Sequence, residues 1–147
     1  MPLSIDTNVL FAAVQATDAN HEVASAFLRS IDHRQDVILS EFILLELYVL
    51  IRNPAVVAKP VSPAQAVAIC AAFRTHPSWQ VVSLPADSTD FHDTFWPRLA
   101  QQSFARRRAY DMRTALSLIR HGVDEFATAD VRDYADAGFK RVWNPLA

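Results

Sequence analysis

The stretch DVILSEFILLELYVLIR, residues 36–52, joins two hydrophobic patterns. Asp36–Ser40 is a short, mostly apolar run and predicts a buried strand. From Glu41 to about Arg52 the pattern predicts a helix, and Ser40 is a favoured capping residue. Nine of the ten residues in Phe42–Ile51 are apolar or aromatic, so most of this helix should be buried.

The same alternation of strands and helices continues along the chain. Further strands are predicted at Pro2–Ile5, Trp79–Leu84, Glu125–Thr128 and Arg141–Asn144. Helices are predicted over Val9–Val14, from Asn20 to Ile31, from Ser62 to about Thr75, around Phe91–Leu99 and over Ala109–His121. Helical connections between strands favour a mainly parallel sheet with helices on both faces, within a single domain of residues 1–147.

Several residues predict where helices begin and end. Thr7 and Asn8 are expected to cap the first helix, and Ser62 to Gln65 has capping-box spacing. Pro97 is expected to kink or break its helix, and Gly122 to end the helix before it.

The composition indicates a globular protein without a general affinity for nucleic acid. Apolar residues make up 51% of the chain, charged residues make up 20%, and the net charge is −2. Any RNA contact must therefore come from a local basic patch. The one cysteine, Cys70, predicts neither a disulfide nor a zinc site. No signal-peptide pattern or long apolar run is seen, which favours a cytoplasmic location.

Four carboxylates are distinguished by their positions. Asp6 follows the first strand, and Asp130 lies just past the strand Glu125–Thr128. Asp111 is in the first turn of a helix, and Glu46 interrupts the apolar helix. No Lys or Arg lies three or four residues from Glu46, so it faces either a solvent gap, an exposed stripe of the helix or a distant cation.

Acids that meet at neighbouring strand ends would repel one another unless a cation neutralised them. Carboxylate oxygens suit a hard ion such as Mg²⁺, which in turn suits phosphoryl chemistry. The five histidines show no ligand spacing. The alternatives at this point are a metal site and a set of merely structural acids.

Five motifs together resemble a PIN domain, and more narrowly a VapC-type ribonuclease toxin of a bacterial toxin–antitoxin pair. They are IDTNVL (5–10), LLEL (44–47), YDMRTALSLIRHG (110–122), FATAD (126–130) and FKRVWNPLA (139–147). The resemblance implies a three-layer α/β/α sandwich around a mainly parallel sheet. It also implies that Asp6, Glu46, Asp111 and Asp130 bind Mg²⁺ or Mn²⁺ and cleave single-stranded or structured RNA by a metal-activated water.

Further residues are assigned to the neighbourhood of this site. Thr128, Asn8 and Asp133 are candidate auxiliary residues, and Asp133 competes with Asp130 as the fourth acid. Glu41 competes with Glu46, but in the first turn of its helix it is expected to complement the helix dipole. Candidate RNA-binding residues are Arg106, Arg107, Arg108 and Arg113, which form either a phosphate-binding patch or a solvated face. Trp96 and Phe104 are expected either to stack on bases or to pack in the core.

The apolar segment Phe42–Ala72 is either core or an interaction face. By resemblance it contributes to a homodimer and to a groove for a small cognate antitoxin. Two rival functions remain. A phosphatase of the aspartyl-phosphate type is disfavoured, because DTN (6–8) lacks a second Asp two residues after Asp6. A non-catalytic protein-binding module would use the acids only structurally.

Overall fold

The computed structural model describes residues 1–147, which form five short strands and seven helices. The strands are β1 (Leu3–Ile5), β2 (Ile38–Ser40), β3 (Gln80–Val82), β4 (Glu125–Ala127) and β5 (Arg141–Trp143). The helices are α1 (Thr7–Val14), α2 (His21–Ile31), α3 (Glu41–Ile51), α4 (Pro63–Arg74), α5 (Ser88–Leu99), α6 (Ala109–Arg120) and α7 (Val131–Tyr134). No helix in the structure is of a length and apolarity that would let it span a bilayer.

All strand pairs are parallel, as the sequence predicts. β1 pairs with β4, and β4 pairs with β5. β2 pairs with β3, and a parallel bridge from Leu3 to Val37 joins this pair to β1. The backbone N–H of Leu3 also donates to the carbonyl of Asp36 at 2.9 Å. The strands therefore lie in the order β5-β4-β1-β2-β3.

This strand order places the helices on two faces. The chain moves from β1 to β2 to β3 in one direction and then returns past β1 to β4 and β5. Because parallel crossovers are right-handed, α1–α4 cover one face and α5–α7 cover the other. The fold is thus the predicted α/β/α sandwich. The direction changes between β1 and β4, where open α/β sheets form a crevice at the carboxyl ends of their strands.

A contiguous apolar core holds the layers together. Ile5, Leu39 and Phe126 contribute from the strands and are fully buried. Leu47 of α3 and Leu118 of α6 pack into the same core and are also fully buried. The helices that carry Glu46 and Asp111 are therefore anchored by their apolar faces, which fixes where their acids stand.

Most predicted helix ends are confirmed. Ser40 accepts from the backbone N–H of Phe42, and Ser62 forms the complete capping box with Gln65. Gly122 follows α6 with φ +89°, the left-handed conformation expected of a helix stop.

Three expectations about helices were wrong or incomplete. Asp6, rather than Thr7 or Asn8, is the N-cap of α1, because its carboxylate accepts from the N–H of Thr7. Pro97 does not break α5, which continues to Leu99, so the helix tolerates the loss of one backbone donor in its last turn. The sequence reasoning also missed α7 and a 3₁₀ turn at Arg106–Arg108, since both are too short to show a period.

Candidate active site

Asp6 lies at the crevice between β1 and β4. Its backbone N–H donates to the carbonyl of Ala127 at 2.9 Å, which continues the β1–β4 ladder by one residue. Its side chain is only 6% exposed. Burial raises the pKa of Asp6 to about 7, and the charges of Glu46 and Asp111 push it in the same direction.

Neutral donors surround the Asp6 carboxylate. Oδ1 accepts from the N–H of Thr7 at 2.8 Å. Oδ2 accepts from the hydroxyl of Thr128 at 2.7 Å and from the side-chain amide of Asn8 at 3.3 Å. Oδ1 thus retains a free lone pair, while the other oxygen is fully engaged. The predicted auxiliary residues Asn8 and Thr128 are both in contact with the acid.

Asn8 also connects Asp6 to Asp130. Its amide nitrogen lies 3.2 Å from Asp130 Oδ2, and its oxygen accepts from the N–H of Ala129 at 3.2 Å. The N–H of Asp130 donates to the Thr128 hydroxyl at 3.0 Å. Asp130 itself is exposed, so it stands at the rim of the site rather than inside it.

Glu46 points from the otherwise apolar α3 toward the same crevice. Its Oε2 lies 3.0 Å from the hydroxyl of Thr7, the residue directly after Asp6. The side chain is half-buried, and burial raises the pKa of Glu46, with a further contribution from the charge of Asp111. The acid in the apolar helix is therefore part of a cluster and not an isolated surface residue.

Asp111, at the start of α6, completes the cluster from the other face of the sheet. Burial raises its pKa, and the hydroxyl of Tyr134 opposes this shift as a hydrogen-bond donor. The charges of Asp133 and Asp130 raise the pKa of Asp111 further. Asp133 is exposed on α7, so both competing fourth acids lie at the rim, close enough to influence Asp111.

None of the four acids forms an ion pair, although the charge of Arg108 lowers the pKa of Asp111 from a greater distance. The ion pairs of the molecule all lie elsewhere and leave out Asp6, Glu46, Asp111 and Asp130. Glu41, the competitor of Glu46, is instead paired with Arg74 at 2.7 Å. Acids brought together without an ion pair repel one another, and a bound cation would relieve this repulsion.

The donor set suits a small divalent ion that keeps much of its water. No three Asp, Glu, His or Cys side chains, as they stand, are placed to hold one ion together. Mg²⁺ is commonly bound through one or two carboxylates, with water molecules completing its octahedron. The acids therefore offer the ligand chemistry of such an ion without forming a closed ligand set.

The predicted arginines fall into different environments. Arg106 and Arg107 are exposed in the 3₁₀ turn. Arg108 is paired with Asp136 at 3.0 Å and also donates to the carbonyl of Asp133, which ties the 3₁₀ turn to α7. The Arg113 guanidinium lies 4.2 Å from the centroid of the Phe42 ring, in no ion pair, beside the groove that Glu46 lines.

The two aromatic residues considered for base stacking also differ in their exposure to solvent. Trp96 is 64% exposed on α5. Phe104 packs against the core and lies 5.6 Å from the Arg108 guanidinium.

Two residues near the acids were not predicted from the sequence to belong to the site. Thr7 was expected only as a cap, yet its hydroxyl contacts Glu46. Tyr134 was not singled out at all, although it is buried and the charges of Asp6, Asp111 and Glu46 raise its pKa. Its position six residues after Thr128, which itself follows β4, was the only available signal, and that signal is weak.

Comparison with known proteins finds a relative that matches nearly the whole chain. No family model matches the chain. The chain is 41% identical over 144 residues to Ribonuclease VapC24 of Mycobacterium tuberculosis, covering 98% of this chain and 97% of the relative, in two strains with the same figures.

Solved structures share the fold at lower identity. Mycobacterium tuberculosis VapC20, a toxin that cleaves the sarcin–ricin loop, superposes with a TM-score of 0.69 at 21% identity, covering 93% of this chain and 95% of that one. VapBC2 of Rickettsia felis, bound to a promoter DNA fragment, superposes with a TM-score of 0.68 at 14% identity, covering 98% of both chains. FitAB bound to the IR36 DNA fragment superposes with a TM-score of 0.65 at 18% identity, covering 99% of this chain and 96% of that one. By its identity to VapC24 over nearly the whole length of both proteins, this chain belongs to the VapC family of PIN-domain ribonucleases.

Proposed function

We propose that this protein is a divalent-metal-dependent endoribonuclease and the toxin of a toxin–antitoxin pair. The single observation that carries the proposal is that Asp6, Glu46 and Asp111 lie near enough for their charges to raise the pKa of Asp6, yet none of them forms an ion pair. They meet at the crevice where an open α/β sheet binds ligands. The relationship to a ribonuclease of the same length supports RNA as the substrate.

We assign Mg²⁺ or Mn²⁺ to this site, held by Asp6, Glu46 and Asp111 together with Asp130 at the rim. When bound, such an ion lowers the pKa of a water molecule and stabilises charge on a phosphodiester. Thr128 and Asn8 fix the orientation of the Asp6 carboxylate, and Thr7 holds that of Glu46. No Ser–His or Cys–His pair adjoins the acids, so the proposed attack on phosphorus uses water rather than a side-chain nucleophile.

Arginines near the acids supply the proposed contacts with RNA phosphates. Arg113 is the best placed, because it lines the same groove as Glu46 and has no carboxylate partner. Arg106 and Arg107 extend the positive surface into solvent. Arg108 also faces this region, but its charge is shared with Asp136, so its expected contribution is smaller.

We further propose a homodimer that binds a small antitoxin. The helices α3 and α6 flank an open groove of about 540 Å³ with a mostly apolar lining. Leu45, Val49 and Tyr110 at this groove are 64%, 55% and 70% exposed. Exposed apolar residues grouped in this way are typical of protein interfaces. The VapBC2 neighbour, a complex of a VapC protein, is consistent with a protein partner of this kind.

The proposal is tested by replacing Asp6 with Asn and measuring cleavage of a single-stranded RNA in Mn²⁺. Removing one ligand charge should lower kcat by at least about 100-fold while the fold is retained. Chelation of the metal should abolish cleavage by the wild type.

Asp93→Asn is the matched control, because Asp93 is exposed on α5 and takes part in no ion pair. It should cleave RNA at the rate of the wild type. Full activity of Asp6→Asn, or of the wild type in excess chelator, would show that the mechanism is wrong.

A further inference from the structure

The groove between α3 and α6 contains a cation that has no partner. The Arg113 guanidinium lies 4.2 Å from the centroid of the Phe42 ring and 5.6 Å from that of the Tyr110 ring. Arg113 takes part in no ion pair, and its Nε atom is buried without a hydrogen-bond partner. Because no carboxylate shares its charge, this cation is available to an anion that enters the groove.

Tyr110 presents an aromatic surface next to this cation. Its exposed fraction of 70% is the largest among the exposed apolar and aromatic residues of the molecule. Tyr110 and Arg113 are three residues apart on α6, a spacing that puts both on one face of the helix. Both line the groove together with Glu46, and Tyr110 directly precedes Asp111. An aromatic ring, a cation and two acids of the site are therefore neighbours.

A nucleotide with an unpaired base matches this arrangement. Its base has an apolar face that stacks on an aromatic ring, and its phosphate suits an arginine. A base inside a duplex is already stacked and paired, so it is not free to make this contact. An apolar protein segment would bury the Tyr110 ring but would leave the charge of Arg113 without a partner, which is costly.

We propose that Tyr110 stacks on the unpaired base of the nucleotide beside the scissile phosphodiester while Arg113 holds a phosphate of that nucleotide, an inference that rests on the proposed ribonuclease function. The contact restricts cleavage to RNA segments whose bases are unpaired. It selects no particular base, because every base has a face that can stack. Leu45 and Val49, on the α3 side of the groove, stay available to a protein partner.

The test is the affinity for labelled hexauridine, measured by fluorescence anisotropy in chelator, where the proposed cleavage does not occur. Tyr110→Ala should weaken the Kd about 10-fold, whereas Tyr110→Phe, which keeps the ring, should bind like the wild type. Trp96→Ala is the control, since Trp96 is an aromatic residue of similar exposure on α5 that does not line the groove. Its Kd should equal that of the wild type.

A second probe separates stacking from a general structural role. This probe is a hexamer of abasic residues, which keeps the phosphates of hexauridine and lacks its bases. If Tyr110 acts through a base, Tyr110→Ala should bind the abasic hexamer as well as the wild type does. Arg113→Ala should weaken the binding of both probes by similar factors, because both retain the phosphate that Arg113 holds.

An equal loss for both probes in Tyr110→Ala, or a loss in Trp96→Ala as large as that in Tyr110→Ala, would overturn the proposed stacking. A Tyr110→Ala protein that binds hexauridine normally but sediments as a monomer would assign the ring to a protein interface and would also overturn it. Cleavage of RNA by the wild type in chelator would overturn the proposed metal-dependent function while leaving the stacking intact, so the two failures are distinguishable.

Discussion

At the scale of single residues, the proposed function depends on acids kept in an unfavourable setting. Asp6 is almost fully buried, and Glu46 and Asp111 stand near enough to raise its pKa. A structural carboxylate in such a place would normally be paired with an arginine. Here the available donors are hydroxyls, an amide and a backbone N–H, so the repulsion is left for an ion to relieve.

This unrelieved repulsion predicts an unusual dependence of stability on pH. The pKa of Asp6 rises from an ordinary 3.8 to about 7 on folding, so the folded chain binds more protons than the unfolded chain between these values. As far as Asp6 is concerned, the metal-free protein is therefore most stable below about pH 4. Its free energy of unfolding falls as the pH rises toward 7. The loss should be on the order of 4 kcal/mol, since one pKa unit corresponds to about 1.4 kcal/mol.

Chemical denaturation in the presence of chelator, at several pH values, measures the slope of the free energy of unfolding against pH. Asp6→Asn should flatten it, because the amide has no proton to lose, and should be more stable than the wild type at pH above about 7. Asp36, whose pKa is lowered to about 2 by Arg34, acts in the opposite direction but in a lower pH window. A wild-type stability that rises steadily from about pH 4 to 7 would contradict the prediction.

At the scale of elements, the site is assembled from the ends of strands and the starts of helices. β1 and β4 end side by side and place Asp6 next to Thr128. α6 supplies Asp111 from its first turn, and its far end is closed by Gly122. Correct termination of α6 matters because the helix must then turn directly into β4.

Replacing Gly122 with Ala should therefore destabilise the protein by about 1 kcal/mol, since Gly122 has φ +89°. An added Cβ meets no atom within 4 Å, so the cost comes from the backbone conformation and not from a clash. Gly122→Asn should lose less stability than Gly122→Ala, because asparagine tolerates the left-handed region better than alanine does. Thermal unfolding of the wild type and the two variants measures their order of stability. Equal melting temperatures for all three would contradict the predicted role of Gly122.

At the scale of the whole molecule, strand order explains both the site and the exposed apolar face. The return of the chain past β1 creates the crevice, and it also brings α6 from the opposite face to meet α3 beside Glu46. The groove between these two helices then exposes Leu45 and Val49 right beside the acids. A second copy packed against Leu45 and Val49 would bury those residues and flank the crevice without covering Arg113.

Sedimentation of the purified protein should accordingly show a dimer at micromolar concentration. Leu45→Asp should shift it to a monomer, because a charge in an apolar interface costs several kcal/mol. Val23→Asp, which alters an exposed apolar residue on α2, is the control and should remain dimeric. A wild type that sediments as a monomer, or a Leu45→Asp dimer, would refute this interface.

The sequence by itself was sufficient to predict the five strands, six of the seven helices, the parallel sheet and the four candidate acids. These features depend on local periodicity, on capping residues such as Ser40 and Ser62, and on acids that directly follow strands or interrupt an apolar helix. Each of these signals lies within a few residues of chain, where side chains and backbone determine one another. The strand-end position of Asp6 and the apolar setting of Glu46 were both readable in this way.

Only the tertiary structure decided what surrounds those acids. The donors Thr7 and Tyr134, the rim position of Asp130, and the pairing of Arg108 with Asp136 depend on elements that are remote in sequence. Such contacts follow from the packing of α3, α6 and α7 around the β1–β4 crevice, and no local pattern encodes them. Burial, which raises the pKa of Asp6, is likewise a property of the packed layers and not of the residue.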